Sequence, residues 1–117
     1  MKTAEGNSVN IDGLWLVEFS TPHGMGTGTV VLTNGRLLGG DGSYYYSGHY
    51  SLNGSQFTAT LTANHYHGPP DNVFGALRMV TLSVQGAAGG DLIMAQGVSK
   101  TSPPLRGTFR LRRVEAI

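Results

Sequence analysis

Residues 56–63 read QFTATLTA, in which the apolar Phe57, Ala59, Leu61 and Ala63 alternate with polar residues. Successive side chains of a β-strand point to opposite faces of a sheet, so this alternation predicts a strand with one buried and one wet face. The same period recurs along the chain, whereas no window has the apolar spacing, caps and length of a confident helix. The predicted strands are 13–20, 26–33, 36–39, 44–51, 56–63, 80–84, 91–98 and 106–114.

Two Asn-Gly pairs mark joins between these strands. Asn34-Gly35 separates residues 30–33 from 36–38, and Asn53-Gly54 separates Tyr50 from Phe57. Asn-Gly is the preferred dipeptide of two-residue hairpins, because both turn positions require positive φ. Sequential hairpins predict an antiparallel meander, and closing the sheet on itself removes its exposed edges. The predicted fold class is therefore all-β, an eight-stranded antiparallel β-barrel, with longer rigid loops at 65–72 and 99–105.

Length and composition limit the possible classes of protein. The 117 residues suit one domain, which we place at 13–117 behind a flexible segment, 1–12, that lacks any pattern. The chain has no cysteine, which excludes disulfides, thiolate zinc sites and a cysteine nucleophile. Although 18 residues are glycine, the steady patterning and 39% hydrophobic content are typical of a folded protein.

Charge and hydropathy indicate neither a membrane nor a nucleic acid as partner. The formal net charge is +1, and no run of 18 apolar residues or signal-peptide core occurs, so we expect a soluble, cytoplasmic protein. The last predicted strand contains one basic cluster, which comprises Arg106, Arg110, Arg112 and Arg113. Because no aromatic residues are interleaved on the same face, we expect a solvated exterior there and no nucleic-acid binding.

Four of the five tyrosines lie in residues 44–50, YYYSGHY. Alternation places Tyr44, Tyr46 and Tyr50 on one face of the strand, with Tyr45 and His49 on the other. The first face is expected to line the barrel, and contact with a ligand or partner is the alternative. The candidate contact residues are Tyr44, Tyr45, Tyr46, His49, Tyr50 and, at the hairpin tip, Asn53. Asp41, just before, suits a turn in which its carboxylate accepts hydrogen bonds from backbone donors.

The order of motifs in residues 13–66 resembles the GrlR family, small regulators of bacterial type III secretion genes. That pattern runs from a Gly-aromatic-x-Val-x-Phe strand through Gly-x-Gly, an Asn-Gly hairpin and Gly-Gly-Asp to a Tyr-x-Gly strand. The matching residues here are Gly13, Val17, Phe19, Gly26, Gly28, Asn34, Gly35, Gly39, Gly40, Asp41, Tyr46 and Gly48.

The resemblance implies a lipocalin-like, eight-stranded barrel that forms a homodimer, holds a transcriptional activator in an inactive complex and is not an enzyme. One segment departs from the pattern. Where the family's regulator has a run of acidic residues that meets its partner, this chain has Leu52-Asn53-Gly54-Ser55. For a protein-binding barrel, we expect the partner surface at the hairpin tips and on the face of Tyr45, Ser47 and His49.

Residues 12–15, DGLW, are similar to the Gly-x-Trp start of lipocalin and avidin-like barrels. In those families an arginine near the chain end covers the tryptophan. Arg110, Arg112 and Arg113 lie on the strand that would close the barrel, so one of them is expected to cover Trp15. We assign Arg110 and Arg112 to barrel closure with Trp15, a structural role.

Metal and catalytic chemistry have weak signals. His65 and His67 flank Tyr66 on one side of an extended segment and are weak candidates for a shared metal, with His49 or His23 as a third ligand. The alternative is a loop packed on the barrel rim. No paired acid, base or nucleophile is recognisable, so we expect neither an enzyme nor a cofactor.

Two functions remain, a protein-binding regulatory barrel and a carrier of one small apolar ligand. An eight-stranded barrel is just wide enough to be filled by side chains or to hold one small molecule. Glycines at potential inward positions, Gly26, Gly28, Gly48 and Gly97, would leave space for a ligand. The volume of the interior therefore separates the two functions.

Overall fold

The computed structural model describes residues 10–69, 72–74 and 77–117. Its strands are β1 (Gly13–Thr21), β2 (Gly24–Thr33), β3 (Arg36–Gly40), β4 (Tyr44–Asn53), β5 (Gln56–His65), β6 (Met79–Gly89), β7 (Leu92–Ser99) and β8 (Arg106–Ala116). A 3-10 turn, Asn72–Phe74, lies between β5 and β6. Within the described residues there is no helix with the length and apolar character needed to cross a bilayer.

The eight strands form one closed antiparallel barrel. Each strand pairs with the next in sequence, and β8 pairs with β1, so no edge is left open. Val17 lies opposite Leu111, and Phe19 lies opposite Phe109 across this closing seam. The predicted meander and its closure into a barrel are confirmed, and most predicted strands extend by one or a few residues at their ends.

The two Asn-Gly pairs form different turns. Asn34 and Gly35 both have positive φ, 49° and 80°, as the hairpin signal predicts. At the second hairpin Asn53 is still in the ladder, opposite Gln56, and only Gly54 of the pair has positive φ, 64°. The turn is therefore Gly54-Ser55, with glycine at the first central position as type II′ turns prefer.

The core lies inside the barrel and follows the alternation of each strand. In β5 the residues predicted to face inward, Phe57, Ala59, Leu61 and Ala63, are all buried. Trp15, Leu32, Tyr44, Ala63 and Ile93 have no measurable exposure. Burial of each large apolar side chain stabilises the fold by about 1.5–3 kcal/mol relative to exposure.

Side chains from outside the sheet close both ends of the barrel. At one end Phe74 of the 3-10 turn packs on Phe19 and Tyr44, with ring centroids 5.5 and 4.9 Å away. At the other end Ile11 is 2% exposed, and its carbonyl accepts a 2.9 Å hydrogen bond from the indole N–H of Trp15.

The ordered structure begins earlier than the sequence indicated. The segment expected to be flexible was 1–12, of which residues 1–9 lie outside the described residues. Ile11 and Asp12, however, are fixed. Ile11 is buried, and Asp12 accepts hydrogen bonds from the Tyr50 hydroxyl and the Asn34 amide. A short segment without strand periodicity gives no local signal of such packing, because its partners are distant in sequence.

Candidate functional site

The inward face of β4 is structural. Tyr44 and Tyr46 are 0% and 4% exposed, on the face that alternation assigned to the interior. The Tyr44 hydroxyl donates a 2.5 Å hydrogen bond to the carbonyl of Leu77, and the Tyr46 hydroxyl donates to the Asp41 carboxylate. Buried tyrosines need such partners, so both hydroxyls anchor loops to the barrel.

Asp41 organises the turn before β4. One carboxylate oxygen accepts 2.8 Å hydrogen bonds from the amides of Ser43 and Tyr44, as expected for an aspartate in a turn. The other accepts the hydroxyl of Tyr46. Its backbone carbonyl accepts a 2.6 Å bond from the hydroxyl of Tyr66. Both carboxylate oxygens of Asp41 thus accept hydrogen bonds that stabilise the turn and the start of β4.

Tyr50 belongs to the opposite end of the barrel. Its hydroxyl donates a 2.6 Å hydrogen bond to Asp12, and its ring stacks on Phe57 with centroids 6.0 Å apart. Burial, reinforced by the bond to Asp12, raises the pKa of Tyr50 to about 12. Tyr50 therefore holds the chain that closes this end, and the structure gives it a structural role.

Tyr45 and Tyr66 are the tyrosines on the outside. They are 51% and 56% exposed, and their ring centroids are 6.4 Å apart. Tyr45 lies opposite Asn64 on β5, and Asn64 lies opposite Met79 on β6. Met79 is also largely exposed. We call Tyr45, Tyr66 and Met79 the aromatic patch. Among the sequence candidates, His49 and Asn53 are also exposed, farther along β4.

The two histidines proposed as metal ligands, His65 and His67, have different surroundings. His65 Nδ1 is 3.4 Å from a guanidinium nitrogen of Arg78, and its ring meets Tyr44 edge to face. His67 is exposed beside Tyr66. In the described part of the chain, no three His, Cys, Asp or Glu side chains are grouped to hold a metal ion. The arrangement agrees better with the alternative, a loop on the barrel rim.

Arg113, rather than Arg110 or Arg112, covers Trp15. Its guanidinium lies 5.4 Å from the indole centroid, and it donates to Asp91 at 2.8 Å. It also donates to the carbonyls of Asn10 and Asp12, at 3.0 and 3.2 Å. The assignment of Arg110 and Arg112 was wrong because both share the outward face of β8. Arg113 has the parity of the inward-facing Leu111, and lies opposite Trp15 in the register.

Among the residues that the structure describes, side chains fill the interior of the barrel. The cavity that these side chains leave has a volume of about 30 Å³ and is lined by apolar side chains such as Phe19, Phe74 and Phe109. A Cβ on Gly26 would lie 2.8 Å from the Phe19 ring, and one on Gly97 would lie 2.7 Å from Phe109. Neighbouring rings occupy the space that these glycines leave.

The outer wall, in contrast, has two adjoining open grooves, of about 730 and 390 Å³. Both are lined by Glu18 and Arg110, an exposed ion pair with 3.6 Å between the charged atoms. We call the two grooves together the outer trough. Its other outward-facing residues are Leu16, Ser20, Met25, Gln56, Thr27, Thr29, Gln85, Ala87, Met94, Gln96, Thr108 and Arg112.

Sequence reasoning missed the outer trough. Gln85 occupies an outward position of β6, and Met94 and Gln96 occupy outward positions of β7. The alternation of these strands was the signal that could identify them. Gln85 lies directly opposite Gln96, and Ala87 lies opposite Met94. Each residue alone reads as ordinary solvent-facing surface, because the grouping depends on pairing between strands.

Comparison with known proteins gives no family for this chain. No protein-family model matches the sequence, and no curated protein matches it significantly.

Proposed function

We propose that this protein is a non-enzymatic regulatory barrel that binds a partner protein on its outer wall. The observation that carries the proposal is the filled interior. A cavity of about 30 Å³ has room for little more than a water molecule, whereas small-molecule sites have volumes of about 300 Å³ or more. Because Ile11 and Phe74 also close the two ends, the filled barrel favours protein binding over carriage of a small apolar ligand.

The aromatic patch supplies the kind of side chains that anchor protein interfaces. Tyrosine is enriched among residues that dominate binding energy, because it buries a large rigid surface and keeps a polar group. Tyr45 and Tyr66 are more than half exposed, and their ring centroids lie 6.4 Å apart. The outer wall near Tyr45 is also the face on which we expect partner contact from the sequence.

The residue pattern shared with the GrlR family supports a transcriptional activator as the partner. The hairpin Leu52-Asn53-Gly54-Ser55 has no acidic residue, so the contact in our proposal lies on the wall and not on an acidic hairpin tip. Regulation then consists of occupying the activator's surface, which needs binding and no chemistry on the part of the barrel.

Affinity capture from native cells tests the proposal. The wild-type protein is expected to retain a specific protein, and Tyr45→Ser with Tyr66→Ser is expected to release it, since the double variant removes the aromatic anchors. Val114→Ser, which also truncates an exposed apolar side chain, is the matched control and should retain the partner. Capture of a small molecule with no protein, or equal retention by all three proteins, would contradict the proposal.

A further inference from the structure

The outer trough carries an excess of positive charge. Its charged lining residues are Glu18, Arg110 and Arg112, which leaves one net positive charge (two minus one). The residues that the structure describes contain two ion pairs, Glu18 with Arg110 and Asp91 with Arg113. Arg112 takes part in neither and is exposed on the same face as Arg110.

The Glu18–Arg110 pair is a weak one. Its charged atoms are 3.6 Å apart, and the two side chains are 56% and 50% exposed. Exposed pairs of this kind contribute little to stability, because water and salt screen the charges. A carboxylate from a partner can therefore replace Glu18 beside Arg110 at little cost, while Arg112 accepts a second carboxylate without competition from another described residue.

The spacing of the two arginines matches an extended polypeptide. Arg110 and Arg112 are two residues apart on β8, so their side chains leave the same face about 6.6 Å apart. Alternate residues of an extended partner segment have the same spacing and point to one side. Two acidic residues separated by one other residue thus face both guanidinium groups at once, and arginine is well suited to bind carboxylates with two hydrogen bonds.

The surroundings of the arginines complete the site. In the register across the wall, Arg112 lies between Leu92 and Leu16, and Arg110 lies between Met94 and Glu18. The neighbouring Gln85–Gln96 pair and Thr108 offer uncharged hydrogen-bonding groups to backbone amides. Along β8 from Thr108 to Arg112 the trough is about 13 Å long, which accommodates four or five extended residues.

We propose that the outer trough binds an extended acidic segment of a partner protein, with acidic residues at alternate positions facing Arg110 and Arg112. This inference rests on the proposed function, since it names the chemistry of the partner. Glu18 is then an internal competitor for Arg110, which gives the site a property that a general basic surface lacks. Replacing Glu18 by an uncharged residue therefore strengthens binding of the acidic segment.

Fluorescence anisotropy with a labelled peptide tests the inference. The probe is a short fluorescein-labelled peptide in which two glutamates flank one threonine, with leucine on either side. Two comparison peptides have the same composition with adjacent glutamates, or glutamine in place of glutamate. The alternating peptide is expected to bind most tightly, and its affinity should fall with added salt, as for pairs exposed to solvent.

Four proteins give the expected pattern. Relative to wild type, Arg112→Gln is expected to weaken binding about tenfold, or about 1.4 kcal/mol, because it removes a charge-assisted hydrogen bond to a carboxylate. Glu18→Gln should tighten binding about threefold by releasing Arg110 from an exposed pair. Arg36→Gln, an exposed arginine on β3 that lines neither groove, is the matched control and should bind like wild type.

Other results would overturn the inference. They are equal losses in Arg112→Gln and Arg36→Gln, weaker binding in Glu18→Gln, no preference for alternating glutamates, or tighter binding of a single-stranded oligonucleotide than of the peptide. All substitutions are at exposed positions, and circular dichroism checks that each variant is folded. If a captured partner protein depends on Tyr45 and Tyr66 but not on Arg112, the proposed function stands and the acidic-segment inference falls.

Discussion

Tyr44 and Tyr45 are adjacent in sequence and chemically identical, yet they have opposite positions in the barrel. Tyr44 is 0% exposed, packs against Phe74 and donates a hydrogen bond to Leu77, whereas Tyr45 is 51% exposed beside Tyr66. The difference is parity along β4, since successive side chains point to opposite faces. One strand therefore supplies side chains to both the buried interior and the exposed outer wall, so residue type alone does not tell which tyrosines are accessible.

The largest expected effect comes from truncating the two tyrosines separately. Tyr44→Ala should lower the free energy of unfolding by about 3–5 kcal/mol, as for other buried aromatic residues, because it leaves a cavity beside Phe74. Tyr45→Ala, the matched control, should change it by no more than about 0.5 kcal/mol. Urea denaturation measures both, and similar losses in the two variants would break the distinction between the inner and outer faces.

The same comparison applies to two neighbouring arginines on β8. Arg113→Met should cost about 1.5–3 kcal/mol of unfolding free energy, because it removes charge-assisted hydrogen bonds to Asp91, Asn10 and Asp12. Arg112→Met keeps a similar side-chain length on the outward face and should cost at most about 0.5 kcal/mol. Chemical denaturation of the two variants measures both losses of unfolding free energy. A larger loss of unfolding free energy in Arg112→Met than in Arg113→Met would contradict the assignment of Arg113 as the arginine that covers Trp15.

A smaller effect concerns the titration of Tyr50. Its pKa of about 12 in the folded protein exceeds the ordinary value of 10.0 because of burial and the bond to Asp12. The folded protein then holds a proton that the unfolded chain has released, so this contribution to stability is complete below pH 10 and is lost as pH rises through 12. Tyr50→Phe should show no such loss over that range.

Phenolate absorbance measures this titration directly. The difference between the wild-type and Tyr50→Phe curves isolates one tyrosine and should have its midpoint near pH 12. A control, Tyr66→Phe, should remove a tyrosine from the outer surface without changing the midpoint of Tyr50. A midpoint near 10.0 for Tyr50 would show that the Asp12 contact does not hold this end of the barrel.

Several features of the site follow from sequence parity alone. The inward positions of Tyr44 and Tyr46, the outward position of Tyr45 and the turn role of Asp41 agree with the alternation and with Asx-turn chemistry. Parity also indicates which arginine covers Trp15, because Arg113 shares the inward face of Leu111 whereas Arg112 does not. That error came from choosing the wrong arginines within a correct pattern.

Other features have no local signal. Tyr66 lies in a segment without strand periodicity, and its pairing with Tyr45 depends on the return of the chain to Asp41. Ile11 and Phe74 close the barrel from segments that show neither alternation nor a turn motif. The outer trough combines residues of six strands, so its existence depends on strand pairing and on the curvature of the wall.

By itself the sequence determined the strands, their inward and outward faces, the first hairpin and the closure of an antiparallel meander. These are consequences of a two-residue period and of turn chemistry, both of which act over a few neighbouring residues. Only the tertiary structure decided that the interior is filled, that Ile11 and Phe74 close its ends, and that Glu18, Arg110 and Arg112 share a trough. These depend on contacts between residues distant in sequence, which local periodicity does not encode.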